Sequence, residues 1–361
     1  MKVLVLSCST GGGHNSCANY ICEELQSNGI STTYSDFYDI VNANAKELSS
    51  KIYLKTLSGN GEIFKNAYKL GELYSKTRIT SPVYLVNKLH TKKLYNYITS
   101  NNYDLIIVTH LFPALTLTAI NKNHSQNKIK FIVVATDYEP CPFFEETHPN
   151  YLIIQKGLEE KFIKRGIPKE ILISTGIPIS SRFIKDAKNI REQLNIKNER
   201  VILIMLGSMG FGKIEEFLPT LLEENNIKII VVCGINEKLL TELKTLNNNK
   251  LIPLGFVNNI NDLIFSSDIV MSKPGGLSST EIASLHKPLL HIFPIPGIET
   301  YNTNFFNSHG MSIKCETPEQ IIASTKELLT NEKLRKEIID NQKKYINPMS
   351  AKDLLNLIKK I

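Results

Sequence analysis

Three motifs that mark common classes of enzyme are missing from this sequence. It has no Asp-x-Asp triplet to chelate a metal-bound nucleotide, no Gly-x-x-x-x-Gly-Lys-Ser/Thr phosphate loop and no Gly-x-Ser-x-Gly nucleophile turn. Metal-dependent transfer, ATP hydrolysis and esterase chemistry therefore lose support.

Cysteine pairs and long apolar runs are also missing. The six cysteines are scattered, with no Cys-x-x-Cys pair and no Cys/His cluster, so neither a disulfide framework nor a zinc site is indicated. The first apolar run, residues 2–6, is too short for a signal peptide or a membrane span. We expect a protein of the reducing cytoplasm that is soluble or peripheral on a membrane.

Apolar strand-like runs alternate with helical stretches along the 361 residues, a length that predicts two domains. The first half has such runs at residues 2–7, 104–108, 130–135, 151–154 and 171–174. The pattern begins again at residue 200, with runs at 200–206, 227–232, 250–254, 268–271 and 288–292. This alternation predicts an α/β protein with two parallel sheets. We predict domains over residues 1–175 and 200–345, a linker over 176–199 and a terminal helix over 346–361.

The positive charge is concentrated in one segment. Residues 46–97 contain ten Lys or Arg and three Glu, an excess equal to the net charge of +7 for the whole chain. Aromatic residues interleave with these cations, which suits an anionic bilayer surface or nucleic acid. A solvated helical face with tyrosines in the core explains the pattern equally well.

A glycine turn at residues 273–281 follows a predicted strand, where open α/β sheets bind ligands. Its glycines permit close approach of a phosphate, and Ser278 or Ser279 can cap the next helix, whose amino end is partially positive. We interpret the turn as a diphosphate cradle without a metal. Glu281, expected in the first helical turn and exposed, either binds ribose hydroxyls or only favours the positive helix end.

A second glycine turn, residues 11–13, precedes His14 and also follows a strand. Three glycines there would aim a helix amino end and an imidazole at the same ligand. Such a helix end favours the uncharged imidazole, which can act as a base. A lone histidine is usually structural, but its position after a glycine turn that follows a strand favours a functional role here.

Two further post-strand segments carry polar groups. The turn at residues 207–210 could bring backbone amides to the same diphosphate, or be a plain tight turn. Asp137 ends another strand run, near His148, and could orient a base, act as one, or cap the next loop.

Taken together, these motifs resemble the signatures of glycosyltransferase family 28, in its diacylglycerol glycosyltransferase branch. That branch includes bacterial processive glucosyltransferases and plant monogalactosyldiacylglycerol synthases. The motifs similar to its acceptor domain are residues 9–14, 136–138 and 148–149. Those similar to its donor domain are residues 273–281, 296–299 and 302–306.

The resemblance implies a GT-B fold, with two Rossmann-like domains whose parallel sheets face each other across a cleft. It implies an inverting transfer of a hexose, glucose or galactose, from a UDP-sugar to diacylglycerol or a glycosyl-diacylglycerol, with no cofactor and no essential metal. Residues 1–175 would then face the acceptor and the membrane, and residues 200–345 would bind the UDP-sugar. The implied partners are the UDP-sugar, the lipid acceptor and an anionic membrane surface touched by residues 46–97, with no nucleic acid. The implied location is cytoplasmic, peripheral on the inner face of the cell membrane.

The resemblance also assigns roles to single residues. His14 faces the acceptor hydroxyl, with Asp137 nearby, as the catalytic groups. Glu281 binds the uridine ribose, while Glu299 and Asn302 lie near the sugar hydroxyls. The set implied for donor binding is Gly13, Gly207, Ser208, Val257, Lys273, Gly275, Gly276, Leu277, Ser278, Glu281, Glu299, Thr300 and Asn302.

The chain departs from the family pattern at two positions. Ser180 stands where many relatives have an arginine, with Arg182 two positions later. Ile298 stands where relatives often have glutamine, which leaves the choice between glucose and galactose open.

Three other functions compete with this interpretation. One is an N-acetylglucosaminyltransferase acting on a lipid-linked peptidoglycan precursor, and another is a UDP-N-acetylglucosamine 2-epimerase. The third is a non-catalytic module whose basic segment binds nucleic acid.

Overall fold

The computed structural model describes residues 1–9, 12–42, 62–124, 126–207, 209–210 and 212–361, without the side chains of Glu62 and Phe64. The chain divides into two compact units. The N-terminal unit contains Met1–Ser180, Ile295–Ile298 and Pro348–Ile361, and the C-terminal unit contains Ser181–Pro294 and Glu299–Asn347.

The N-terminal unit is built on a sheet of six parallel strands in the order β2-β1-β3-β4-β5-β6. The strands are β1 (Lys2–Ser7), β2 (Ser31–Asp36), β3 (Leu105–Val108), β4 (Phe131–Val134), β5 (Tyr151–Ile153) and β6 (Leu172–Ile173). The central strands β3 and β4 consist of apolar residues that are all buried, as expected for parallel strands covered on both faces.

Helices connect these strands and cover the sheet. They are α1 (Gly12–Ser27), α2 (Phe37–Val41), α3 (Glu62–Ser75), α4 (Pro82–Lys88), α5 (Thr91–Ser100), α6 (Leu111–Asn123) and α7 (Glu159–Lys164), with 3-10 turns at Phe144–Glu146 and Lys169–Ile171. The last helix of the chain, α15 (Ser350–Ile358), also belongs to this unit and packs against α1. Ser350 fixes its start by donating a hydrogen bond to the carbonyl of Ile177 (2.7 Å).

The C-terminal unit has a second sheet of six parallel strands, in the order β12-β11-β10-β7-β8-β9. The strands are β7 (Arg200–Met205), β8 (Ile227–Val232), β9 (Leu251–Leu254), β10 (Ile269–Ser272), β11 (Leu289–Ile292) and β12 (Ile313–Cys315). The helices are α8 (Leu218–Leu222), α9 (Glu237–Thr245), α10 (Ile260–Ser266), α11 (Gly276–Ser284), α12 (Ile298–Ser308), α13 (Pro318–Thr330) and α14 (Glu332–Tyr345), with 3-10 turns at Ser181–Phe183 and Ile214–Glu216.

The predicted parallel α/β architecture is confirmed in both units. Each of the ten predicted strands occurs, with ends within one residue of the prediction. The sequence patterns missed β2 and β12, which both lie at an edge of their sheet. β2 has the polar sequence Ser-Thr-Thr-Tyr-Ser-Asp and β12 has only three residues, so neither produces the apolar run that predicts a buried strand.

Within the part of the chain that the structure describes, every helix is too short or too polar to cross a lipid bilayer.

Candidate active site

His14 lies in the first turn of α1, just beyond the carboxyl end of β1. The helix begins at Gly12, whereas the sequence predicted a glycine turn over residues 11–13. Gly12, Gly13 and His14 are therefore helical. The predicted turn was wrong for Gly12 and Gly13, because the helix starts at the glycines. Thr10 and Gly11 lie outside the described residues.

Two threonines that follow neighbouring strands hold the imidazole of His14. Its Nδ1 lies 2.9 Å from the carbonyl oxygen of Thr109, which comes directly after β3, and 2.8 Å from Oγ1 of Thr136, just after β4. The Thr109 hydroxyl donates in turn to the His14 carbonyl (3.0 Å). His14 itself is partly exposed, so its ring is anchored at one nitrogen without being sealed inside the protein.

A second histidine stands beside the first. The rings of His14 and His110 meet edge to face, with centroids 4.8 Å apart. Nδ1 of His110 accepts a hydrogen bond from the backbone N–H of Phe112 (3.2 Å) and so caps α6. Burial, with a smaller contribution from the charge of His14, lowers the pKa of His110 well below its ordinary value of 6.5. His110 is therefore uncharged at neutral pH.

Asp137 and His148, the other polar groups predicted here, lie farther along the segment after β4. Asp137 is partly exposed and adjoins Thr136, the residue that contacts His14. The imidazole of His148 is exposed, and its backbone N–H donates to the Thr118 hydroxyl (2.9 Å). The roles suggested for Asp137, as the base or as its orienting group, stay predictions.

In the C-terminal unit, the turn from Lys273 to Gly276 joins β10 to α11. Gly275 is the N-cap residue (φ −64°, ψ 138°), and no side chain caps this helix end. The expectation that Ser278 or Ser279 caps the helix was wrong, since both lie inside it. The amino end of α11 therefore offers backbone N–H groups and partial positive charge, which suit an anion.

Glu281 lies deeper in α11 than the sequence suggested. It is the sixth residue of the helix, in the second turn, and only 5% exposed. The prediction that it is exposed in the first turn was wrong, because the helix starts at the glycine. Its assignment as a ribose ligand stays a prediction.

Asn302 braces the glycine turn from α12. It is fully buried, and its amide donates to the carbonyl of Pro274 (3.0 Å). Glu299 and Thr300, in the first turn of α12, are partly exposed. Lys273 and Ser278 are also partly exposed, whereas Leu277 is buried.

The turn after β7 packs closely against the backbone of Cys233, the residue that follows β8. Gly207 has φ +75°, and the backbone N–H of Gly210 closes the turn on the Gly207 carbonyl (3.1 Å). A Cβ on Gly210 would lie 2.0 Å from the carbonyl oxygen of Cys233, so only glycine fits. Ser208, predicted to contact the diphosphate, lies outside the described residues, and Val257 is partly exposed between β9 and α10.

Sequence reasoning missed the anchor of α11. His291, on β11, is fully buried, and its Nε2 and Nδ1 lie 3.0 Å and 3.1 Å from the hydroxyls of Ser279 and Ser312. Burial lowers its pKa from 6.5 to about 3. A lone histidine in an apolar strand gives no signal of such a contact, and neither do Thr109 and Thr136.

Comparisons with known proteins agree with the division of the chain. Residues 14–179 match the family described as monogalactosyldiacylglycerol (MGDG) synthase, and residues 186–345 match glycosyl transferases group 1. The first match contains His14 and Asp137, and the second contains the glycine turn of α11.

Curated relatives are similar over nearly the whole chain. Processive diacylglycerol beta-glucosyltransferases of Bacillus pumilus and Bacillus subtilis are each 29% identical, over 98% and 94% of this chain and 93% and 91% of their own. The protein of that name from Staphylococcus epidermidis is 26% identical, over 99% of this chain and 93% of its own.

Solved structures confirm the fold class. MurG of Acinetobacter baumannii superposes with a TM-score of 0.65 at 15% identity, covering all of both chains. The spinosyn rhamnosyltransferase SpnG superposes with a TM-score of 0.66 at 12% identity, covering 99% of this chain and all of its own. Both are glycosyltransferases of the GT-B fold. The family matches and the curated relatives confirm the resemblance that the motifs indicated: the chain is similar to the diacylglycerol glycosyltransferase branch of the GT-B glycosyltransferases.

Proposed function

We propose that this protein transfers glucose from UDP-glucose to the hydroxyl group of diacylglycerol or of a glycosyl-diacylglycerol. The observation that carries this proposal is the similarity, over 94–99% of the chain, to relatives named processive diacylglycerol beta-glucosyltransferases. The anchored imidazole of His14 lies in the part of the chain that matches the MGDG synthase family.

In the proposed reaction the lipid hydroxyl attacks the anomeric carbon, with inversion, while the bond from that carbon to the diphosphate breaks. UDP leaves through a transition state with oxocarbenium character. His14 takes the hydroxyl proton, which accelerates transfer at least about a hundredfold. The N–H groups at the start of α11 take up diphosphate charge, roughly 3 kcal/mol for each well-placed donor. We assign binding of the UDP-sugar donor to Glu281 and the other residues that the family resemblance implies. We expect no essential metal.

We place the enzyme on the inner face of the cell membrane and assign membrane contact to α3 and the residues that follow it. Half of the exposed large apolar side chains of the described residues, seven of fourteen, fall between Ile63 and Leu89. Exposed cations such as Lys69, Lys76 and Arg78 accompany them. Apolar side chains among cations suit an anionic lipid surface. The predicted contact over residues 46–61 lies outside the described residues.

Helix α3 carries its apolar side chains on the side away from the unit. Leu70 and Leu73 are 67% and 62% exposed. The side toward the unit carries glycine, glutamate and tyrosine: a Cβ on Gly71 would lie 3.3 Å from Pro142, Glu72 lies 3.9 Å from Arg165, and the ring of Tyr74 meets that of Phe143. This distribution is the reverse of that expected for a helix whose outer face contacts only water.

Product analysis tests the proposed reaction. The protein is incubated with UDP-glucose, UDP-galactose or UDP-N-acetylglucosamine in the presence of vesicles that contain diacylglycerol. The lipid products are then identified by mass spectrometry. We expect a hexosyl-diacylglycerol from UDP-glucose. Transfer only of N-acetylglucosamine to a peptidoglycan precursor, or release of free N-acetylmannosamine, would replace this function with one of its competitors.

A binding measurement tests the role of Glu281. Glu281→Ala should weaken UDP binding measured by calorimetry, and unchanged affinity would remove Glu281 from the donor site.

Vesicle sedimentation tests the membrane contact. Replacing Leu70 and Leu73 together by serine should weaken binding to anionic vesicles by roughly a hundredfold or more, because each leucine inserted in the bilayer contributes about 1.5–3 kcal/mol. The matched control replaces Ile235 and Leu246, which are 58% and 54% exposed in the C-terminal unit. Equal binding by both double variants and the wild type would exclude α3 from the contact.

A further inference from the structure

The contacts of His14 determine which of its two ring nitrogens carries the proton. A backbone carbonyl can only accept a hydrogen bond, and the carbonyl of Thr109 lies 2.9 Å from Nδ1. Nδ1 must therefore carry a hydrogen and donate it. In the neutral imidazole this leaves the lone pair on Nε2.

The Thr136 hydroxyl then has one possible role toward this ring. It lies 2.8 Å from Nδ1, and a protonated ring nitrogen has no lone pair to accept with, so the hydroxyl oxygen accepts from the same N–H. Both partners of Nδ1 thus present oxygen lone pairs to the imidazole. Such contacts become stronger when the ring gains a positive charge.

We propose that Thr136 is a positioning residue for the transfer: with the Thr109 carbonyl it holds the His14 proton on Nδ1, so that Nε2 receives the proton of the acceptor hydroxyl. In that step the O–H bond of the acceptor breaks, an N–H bond forms at Nε2, and the oxygen electron pair forms the bond to the anomeric carbon. The electron pair of the broken glycosidic bond leaves with UDP. Thr136 acts through His14 and stabilises the imidazolium that the step creates.

The neighbouring ring supports this assignment. His110 caps α6 through its Nδ1 and meets the His14 ring edge to face at 4.8 Å. Because burial keeps His110 uncharged, it adds no positive charge against a protonated His14.

The first test reads the tautomer directly and needs no substrate. The eight histidines are labelled with nitrogen-15, and a two-bond proton–nitrogen correlation spectrum distinguishes a proton on Nδ1 from one on Nε2. His14 is assigned by the signal lost in His14→Gln. We expect the proton of neutral His14 on Nδ1. A proton on Nε2 would overturn the proposal.

The second test measures what the hydroxyl contributes. Thr136→Val keeps the shape of the buried side chain and removes the hydroxyl, and we expect kcat to fall about tenfold, since a lost hydrogen bond to a charged group costs that much or more. The KM for UDP-glucose should not change. Thr136→Ser, which restores the hydroxyl, should recover most of kcat.

The matched control is Thr116→Val, which removes a buried hydroxyl of α6 bonded to the carbonyls of Asn87 and Phe112 (both 3.1 Å). It should leave kcat near the wild-type value. Wild-type kcat in Thr136→Val, or an equal fall in Thr116→Val, would overturn the role of Thr136.

The role of Thr136 rests on the proposed function, but the two can fail separately. If the wild type transfers no hexose, the proposed function fails while the spectrum still tests the tautomer. If transfer occurs and His14 carries its proton on Nε2, only the role of Thr136 and Thr109 fails.

Discussion

His14 in the N-terminal unit and His291 in the C-terminal unit are both held by hydroxyl or carbonyl oxygens, but in opposite ways. The partners of His14, Thr109 and Thr136, both meet Nδ1, and the ring is partly exposed. His291 has one serine hydroxyl on each ring nitrogen and is fully buried.

This difference separates a ring that is accessible to solvent from one that is sealed inside the protein. The anchored Nδ1 of His14 orients the ring while its partial exposure allows a substrate to reach it. Burial keeps His291 neutral, with its pKa lowered to about 3. Its hydrogen bond with Ser279 ties α11 to the sheet, and its hydrogen bond with Ser312 ties β11 to the residue before β12. The residue type is the same in both places, and the surroundings decide its role.

Among substitutions at these two histidines and their partners, the largest effect that we expect is on turnover. His14→Ala removes the proposed base and should lower kcat between about a hundredfold and ten-thousandfold. UDP affinity, measured by calorimetry, should stay the same, because the residues predicted to bind the donor, apart from Gly13, lie in the C-terminal unit. Wild-type turnover in this variant would contradict the assignment of His14 as the base.

The next largest effect is on stability and concerns His291. His291→Leu leaves the buried hydroxyls of Ser279 and Ser312 without their partner and should lower the free energy of unfolding by about 3 kcal/mol. Urea unfolding followed by circular dichroism measures it. The same substitution at His14 should cost less than about 1 kcal/mol, because that ring is partly exposed. Equal losses in the two variants would mean that both histidines are structural.

The pH dependence of the free energy of unfolding tests the buried state of His291 further. His291 has a pKa of about 3 in the folded protein against an ordinary 6.5, so between these values the unfolded chain binds the extra proton. Stability should therefore fall as pH decreases below about 6.5, by up to about 1.4 kcal/mol per pH unit. His110 adds a slope of the same sign. In His291→Leu the slope should be shallower, and an unchanged slope would contradict the buried neutral state of His291.

The smallest effect concerns a single hydroxyl of α11. Ser279→Ala removes one partner of His291 and should cost about 1 kcal/mol, seen as a lower thermal midpoint. Ser284 is the matched control: its hydroxyl is also buried in α11 but has no hydrogen-bond partner among the described residues. Ser284→Ala should be neutral or slightly stabilising. A loss in Ser284→Ala as large as that in Ser279→Ala would show that the contact with His291 is not responsible.

Sequence patterns predicted all of the interior strands and failed at one edge of each sheet, at β2 and β12. The strand β3 is a run of apolar residues because both faces of a central parallel strand are covered. The edge strand β2 is polar and partly exposed, and its pairing with β1 depends on backbone hydrogen bonds that carry no side-chain pattern.

In the candidate site, too, some features were predicted correctly from the sequence and others were not. The glycine turn at Lys273 was placed correctly after a strand, since glycine marks a turn locally. The cap of α11 and the burial of Glu281 were predicted wrongly, because they depend on the residue at which the helix starts. The assigned donor contacts stay predictions.

The sequence by itself determined two parallel α/β units, glycine-rich segments at the carboxyl ends of some of their strands, and the presence of His14 directly after one of those segments. Only the tertiary structure decided which nitrogen of His14 is anchored. Thr109 and Thr136 lie 95 and 122 residues away along the chain. They reach His14 because the sheet order places β3 next to β1 and β4 next to β3, and a hydrogen bond requires that proximity.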